Sequence, residues 1–203
     1  MFHVKHEGWK SVELPPEVLL DDVACARFEL FEQMLGERAV QAGMIARSDA
    51  LRIRERHLLD SLRAAPLLPA AGLICDMGSG AGLPGIVLAI ARPDLRAVLV
   101  EVRRNRAAFL KDVIAALGLV DVEVYPRRLE TFRGKADVCT ARAFGSPIAS
   151  WAAAARFLRS PGSLIYWAGA TFDATTDLPD GVESTLYKPA GLARSGPLVI
   201  MTR

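Results

Sequence analysis

Ten residues, DMGSGAGLPG from 76 to 85, carry the densest chemical signal in the chain. They follow one apolar run, LICDM, and lead into another, IVLAI. The order predicts a buried strand, a glycine turn and the start of a helix. Glycines let backbone approach a ligand closely, and the free amides at a helix N-terminus favour polar or anionic groups. Asp76 lies at the strand end, where a carboxylate can orient the loop or an amino group of the ligand. The next apolar run, RAVLVEV, ends with Glu101, twenty-three residues after Gly78 and twenty-one after Gly80. A carboxylate there can accept both hydroxyls of a ribose. The chemistry implied is recognition of a nucleoside-like ligand.

Two registers fit the glycines. Asp76-x-Gly78-x-Gly80-x-Gly82 is the glycine loop of many S-adenosylmethionine methyltransferases. Gly80-x-Gly82-x-x-Gly85 matches the dinucleotide fingerprint of NAD enzymes. Three features favour the first. Pro84 would sit inside the dinucleotide turn, whereas in the first register it is an early helical residue. Asp76 has a use at the strand end. Hydride transfer would need further equipment, and there is neither a Tyr-x-x-x-Lys pair nor room for a substrate domain after the sheet. S-adenosylmethionine is the expected cofactor. An NAD-binding oxidoreductase and a methyltransferase acting on a small molecule or a protein are the alternatives.

These residues need a scaffold. Residues 1 to 14 are polar, and Pro15-Pro16 introduces a helix over roughly 17 to 35, with Val23, Arg27, Leu30, Phe31, Met34 and Leu35 at helical spacing and Gly36 as the stop. Ser48-Asp49 can cap a second helix with Leu51, Leu58, Leu59 and Leu62 on one face. Arg56 and Asp60 stand four apart and can pair, and Pro66 and Pro69 end the helix. From Leu73 strands and helices alternate. After the first strand come a helix over about 83 to 92, the strand RAVLVEV, a helix from Arg104 to Leu117 stopped by Gly118, and the strands DVEVY and ADVCTA. A helix from about Pro147 to Leu158 follows, and Pro161-Gly162 turns into SLIYWAG. VESTLYK and GPLVIMT form a final hairpin. The fold class is α/β, a doubly wound and mostly parallel sheet with an antiparallel edge. Residues 1–70 form a helical cap within the same domain as residues 71–203.

Composition bounds the rest. At 203 residues, half of them hydrophobic, the chain can bury a substantial core. No apolar run reaches the ~20 residues of a membrane helix, and MFHVKHEGWK lacks the apolar stretch of a secretory signal. A cytoplasmic, monomeric protein without membrane contact is expected. Cys25, Cys75 and Cys139 have no zinc-like spacing, so they read as reduced thiols, and no metal site is expected. Positive charge gathers in the first two thirds: nine Lys/Arg against five acids from Arg103 to Arg142. That suits a polyanionic partner, as it also suits solvated helix faces.

Four blocks, RHLLDS (56 to 61), DMGSGAGLPGIVLAI (76 to 90), FLKDVIAALGL (109 to 119) and ARAF (141 to 144), resemble the family of ribosomal RNA small subunit methyltransferase G. The resemblance covers about residues 20 to 170. It implies the class I methyltransferase sheet with a helical cap, and methylation of N7 of one guanine in the decoding region of 16S ribosomal RNA. The partner implied is that RNA or the small ribosomal subunit. The cofactor site implied comprises Asp76, Gly78, Gly80, Gly82, Leu83 and Glu101, with Leu129 and Glu130 at the adenine. Arg142 joins it, against the methionine carboxylate or an RNA phosphate. His57 and Asp60 match the block RHLLDS; fastening the cap to the sheet is their expected role, and a catalytic one is the alternative. Phe144 could stack on the target base, though core packing is the expected role. Arg103, Arg104, Arg127 and Arg128 are the candidates for RNA phosphates, being near the C-terminal ends of the second and third strands. Where the family carries Lys-Gly after the fifth strand, this chain reads Ala168-Gly169. A guanine N7 has an exposed lone pair and no proton to lose, so no catalytic base is assigned. Positioning does the work.

Overall fold

The computed structural model describes residues 8–12, 14, 18–188 and 196–203. Seven strands form one sheet: β1 (Leu73–Met77), β2 (Arg96–Val100), β3 (Val122–Tyr125), β4 (Ala136–Arg142), β5 (Leu158–Trp167), β6 (Glu183–Tyr187) and β7 (Leu198–Thr202). Their order is β3-β2-β1-β4-β5-β7-β6. The first five run parallel, and β7 pairs antiparallel with both β5 and β6. The sheet is the expected one, antiparallel edge included.

Alternation along the strands divides the core between the two faces. Ile74, Leu99, Val138 and Ile165 face one way, where they meet Phe28, Leu58, Ile86 and Leu110 from the helices. Cys75, Val98, Cys139 and Leu164 face the other way, against Phe132, Ala154 and Phe157. Cys75 and Cys139 are register partners on β1 and β4, and all three cysteines are free and buried. Among the described residues no helix is long and apolar enough to cross a membrane, and no cluster of side chains could hold a metal ion.

The helices depart more from the sequence reading. α1 spans Asp22–Met34, and the Asp21 side chain caps it by accepting from the Ala24 amide at 2.7 Å. Its buried face is Ala24, Cys25, Phe28, Phe31 and Met34. Val23 and Leu30 lie outside it, and Trp9 stacks on Phe28 at 4.4 Å. Gly36 does not stop the helix. The chain continues through a wide turn, Leu35–Ala39, and reverses only near Gly43. The expected second helix is a tight turn over Arg47–Arg52, a wide one over Arg54–Leu59 and a last regular turn, α2 (Asp60–Leu62). Leu51 is exposed, while Leu58 and Leu62 are buried. Asp49 caps nothing, and Arg56 pairs with Asp49 at 2.9 Å rather than with Asp60. Asp60 instead faces Arg63 and the distant Arg142.

Beyond the front piece, α3 (Gly85–Ala91), α4 (Arg104–Leu117) and α5 (Pro147–Ala154) follow their strands. Pro84 stands just outside α3 as its cap residue, not within it. α5 ends four residues early, since the segment after it feeds directly into β5. Pro161-Gly162 is no turn. β5 runs through both residues, and the register shift opposite β4, between Ala136 and Val138, absorbs the proline.

Candidate active site

The site gathers at the C-terminal edge of β1, β2, β3 and β4. The turn after β1 is built around Asp76. This carboxylate is buried and accepts from the Thr140 hydroxyl on β4 at 2.7 Å and from the Gly85 amide at 3.2 Å. It ties the neighbouring strand to the first residue of α3. Of the two uses foreseen for Asp76, orienting the loop is the one its contacts serve. Burial pushes its carboxyl above the usual range, offset in part by these hydrogen bonds. A Cβ on Gly85 would strike Leu99 and stand 2.6 Å from Asp76 Oδ2, so only glycine lets helix and strand close here.

The turn itself is left-handed at Gly78 (φ 72°) and Gly80 (φ 58°). A Cβ on Gly80 would find nothing nearer than Gly78 O at 3.8 Å and Arg106 Nη1 at 3.9 Å, so the loop presents bare backbone to open space. Gly82 donates to Ser79 O at 2.7 Å, and Leu83 is half-buried beside it. Glu101, just past β2, is almost fully buried. One of its oxygens accepts from the Gly80 amide at 3.0 Å, and the other from the Arg103 amide at 2.8 Å. Glu101 therefore clamps the glycine loop to the start of α4 while each oxygen keeps a lone pair for a ligand. Past β3, Leu129 is buried and Glu130 exposed in one short turn, Leu129–Thr131.

Arg142 ends β4, and its side chain turns toward the helical front piece. Nη2 donates to the Arg56 carbonyl and to His57 Nδ1, both at 3.0 Å. Nη1 stands 3.4 Å from Ser61 Oγ and Nε 3.4 Å from Asp60 Oδ2. Asp60 also binds Arg63 at 2.8 Å. His57 Nε2 lies 3.1 Å from Asp49. Burial, then the nearby Arg142 charge, pushes the imidazole below its ordinary value of 6.5. So the His57 and Asp60 expected to fasten the cap do so, with Arg142 as the other half of the fastening.

After Arg142 the backbone takes a left-handed step at Ala143 (φ 54°), rare for a residue with a side chain. That step lays Phe144 over the glycine turn. A Cβ on Gly78 would lie 2.9 Å from Phe144 Cδ2, and the ring stays 38% exposed. The expectation that Phe144 packs in the core is thus corrected: the left-handed Ala143 swings it out of the sheet. Tyr166 holds the same loop by donating to the Gly145 carbonyl at 2.8 Å, and Ser146 caps α5 by accepting from the Ala149 amide. Arg103, Arg104, Arg127 and Arg128 are exposed around the ends of β2 and β3. Among the described residues none of the four side chains has an acidic partner within ion-pair distance, unlike Arg106, which faces Glu101 at 3.9 Å. Thr140 and Tyr166 are not among the expected site residues, and Asp49, expected only as a helix cap, is instead the partner of His57 and Arg56. Thr140, two residues before the singled-out Arg142, could have been found as the register partner of Asp76.

A seven-stranded sheet with β7 reversed, a glycine turn after β1 and an acid after β2 is the class I methyltransferase fold. Two solved structures share it: an MtNAS variant in complex with S-adenosylmethionine (17% identity, TM-score 0.59, 89% of this chain and 76% of that one) and the S-adenosylmethionine-dependent methyltransferase SibL (17%, 0.57, 70% and 53%). Residues 24–177 match the family described as rRNA small subunit methyltransferase G, and the chain belongs to that family. Curated relatives bearing the name Ribosomal RNA small subunit methyltransferase G include those of Acidothermus cellulolyticus (41% identical over 135 residues, 66% of this chain and 60% of the relative) and Leifsonia xyli subsp. xyli (38% over 173 residues, 82% and 81%). The chain spans less than two thirds of the length of several such relatives, among them those of Acidothermus cellulolyticus and Mycobacterium leprae.

Proposed function

We propose that this chain transfers a methyl group from S-adenosylmethionine to N7 of a guanine in the decoding region of 16S ribosomal RNA. The observation that carries the reading is the family match across 24–177 on a site of this shape. The cofactor fits the residues present. The bare backbone at Gly80 leaves space for it, and the spare lone pairs of Glu101 suit a ribose. Leu83, Leu129 and Glu130 would flank its base, and Asp76 and Gly82 would hold the loop in shape. When bound, the cofactor supplies an electrophilic methyl group on a sulfonium. The chain's part is then to place a nucleophile in line with it.

Guanine N7 suits such a site because its lone pair is ready at neutral pH. Arg103, Arg104, Arg127 and Arg128 hold the phosphates around it, and Phe144 stands exposed over the glycine turn. The helical front piece belongs to the same domain as the sheet in this reading, since Phe28 and Leu58 share a buried cluster with Ile86 and Leu110. The protein acts in the cytoplasm as a monomer. The test is transfer of labelled methyl groups from S-adenosylmethionine to purified small subunits, followed by nucleoside analysis. Label in N7-methylguanosine is expected. Label in another nucleoside, or none in RNA, would contradict the proposal.

A further inference from the structure

The side-chain contacts of Arg142 are with the helical front piece. Its two Nη2 protons are spent on the Arg56 carbonyl and His57, and Nε faces Asp60. A guanidinium only donates, so His57 Nδ1 must be the bare nitrogen. Nε2 then carries the proton it gives to Asp49 Oδ2. Asp49, His57 and Arg142 form a directed chain from an irregular turn of the front piece to the end of β4. The next residue is the strained Ala143, and the one after it is Phe144 over Gly78.

We propose that Asp49 and His57 are positioning residues for methyl transfer: through the Arg142 guanidinium they lock the helical front piece to β4 and so fix the loop 143–146 above the glycine turn. The loop has three other ties, Tyr166 to Gly145, Ser146 to α5 and the Phe144 contact with Gly78. At the β4 end the Arg142 backbone pairs with Trp167 of β5, and the front piece holds the Arg142 side chain. A left-handed Ala143 costs free energy, and it persists only where its surroundings hold it. The lock works with a neutral imidazole. A second proton on His57 would set Nδ1–H against the Nη2–H of Arg142, two donors face to face. Charged groups around the ring are Arg142 from β4, Asp49 and Arg56 from the front piece, with Asp60 and Arg63 beyond Arg142.

The proposal rests on the methyltransferase reading, so two measurements are paired. In the first, methyl transfer to small subunits is followed from pH 5 to 8, with S-adenosylhomocysteine affinity by calorimetry. His57→Leu should lower the transfer rate by about tenfold or more, as expected for a lost bond to a charged group, with cofactor affinity unchanged. His57→Asn keeps an acceptor for Arg142 and should recover part of that loss. Wild type should lose rate with one proton below the ordinary imidazole value of 6.5, and His57→Asn should lack that acid limb. Asp49→Asn should weaken the lock less than His57→Leu. Wild-type rates in all three variants, the same acid limb in His57→Asn, or an equal loss of cofactor affinity in His57→Leu would overturn the proposal. Should His57→Leu fail to fold by circular dichroism, the other two variants decide by the same criteria. The second measurement needs no activity. Amide NMR signals of residues 142–146 should titrate with His57 in the wild type and not in His57→Asn. Signals that ignore His57 overturn the lock, whereas a titrating loop without any transfer to subunits would fault the function alone.

Discussion

The glycine turn and the helical front piece meet at one site but are built by different rules. The turn follows from local sequence. Strand, left-handed glycines, helix and acid succeed one another in order, and each polar group has a partner nearby in the sheet: Asp76 with Thr140, Glu101 with the Gly80 and Arg103 amides. The front piece is irregular from Arg47 to Leu59, and its polar groups reach across the molecule. His57 and Asp60 find Arg142 more than eighty residues later, and Trp167 donates to the Asp60 carbonyl at 3.0 Å. The turn is shaped by partners within its own strand–turn–helix unit and the adjoining strand ends. The front piece is shaped by what it fastens.

That contrast is first open to breaking at Asp76. If the turn is a self-contained device, Asp76→Ala should unfold it locally and cost about 3 kcal/mol, because the Thr140 hydroxyl and the Gly85 amide lose their buried partner. Asp76→Asn can accept from Gly85 and donate to Thr140, so it should recover most of the loss. Urea denaturation at pH 7 measures both. Equal stability of Asp76→Ala and wild type would show that the turn does not depend on this carboxylate.

Glu101 is the next test. Glu101→Ala removes the clamp and the ribose acceptor together, and S-adenosylhomocysteine should bind about ten- to a hundredfold more weakly by calorimetry. Gly80→Val fills the open space above the loop and should weaken binding in a folded protein. Wild-type affinity in both variants would move the cofactor elsewhere.

The same contrast explains what could be read from the sequence. All seven strands and the run of α4 into Gly118 are legible, because short apolar runs bounded by turn residues and a left-handed stop are local signals. In α1 the expected Phe31, Met34 and Leu35 are buried, whereas Val23 and Leu30 are exposed and Phe28, stacked on Trp9, takes the core position. Arg56 and Asp60 stand at helical spacing but do not pair, because Arg56 turns back to Asp49 and Asp60 faces Arg63 and Arg142. Phe144 was assigned to the core on hydrophobicity, while the left-handed Ala143 that exposes it has no signature in an alanine. Distant partners and unusual backbone are settled in three dimensions, and the front piece holds more of both.

Smaller effects sharpen the comparison further. Arg103, Arg104, Arg127 and Arg128 lie on the sheet side of the site, so RNA affinity should fall steeply with salt. Each arginine removed should reduce that slope by about 0.7 to 1. An unchanged slope across the four variants would take the phosphates off this edge. Smallest of all, Leu51→Ala on the front piece should change stability by less than about 0.5 kcal/mol, since the side chain is exposed. A larger loss in thermal melting would mean that the face carrying Leu51 is covered in solution.

In the proposed reaction the chain places a methyl group on N7 of one guanine in small-subunit RNA. Mass-spectrometric mapping of that RNA, from cells with and without the intact gene for this protein, tests it most directly. The account predicts a single N7-methylguanosine in the decoding region that disappears with the gene and returns with the wild-type copy but not with Glu101→Ala. An unchanged methylation map would contradict it.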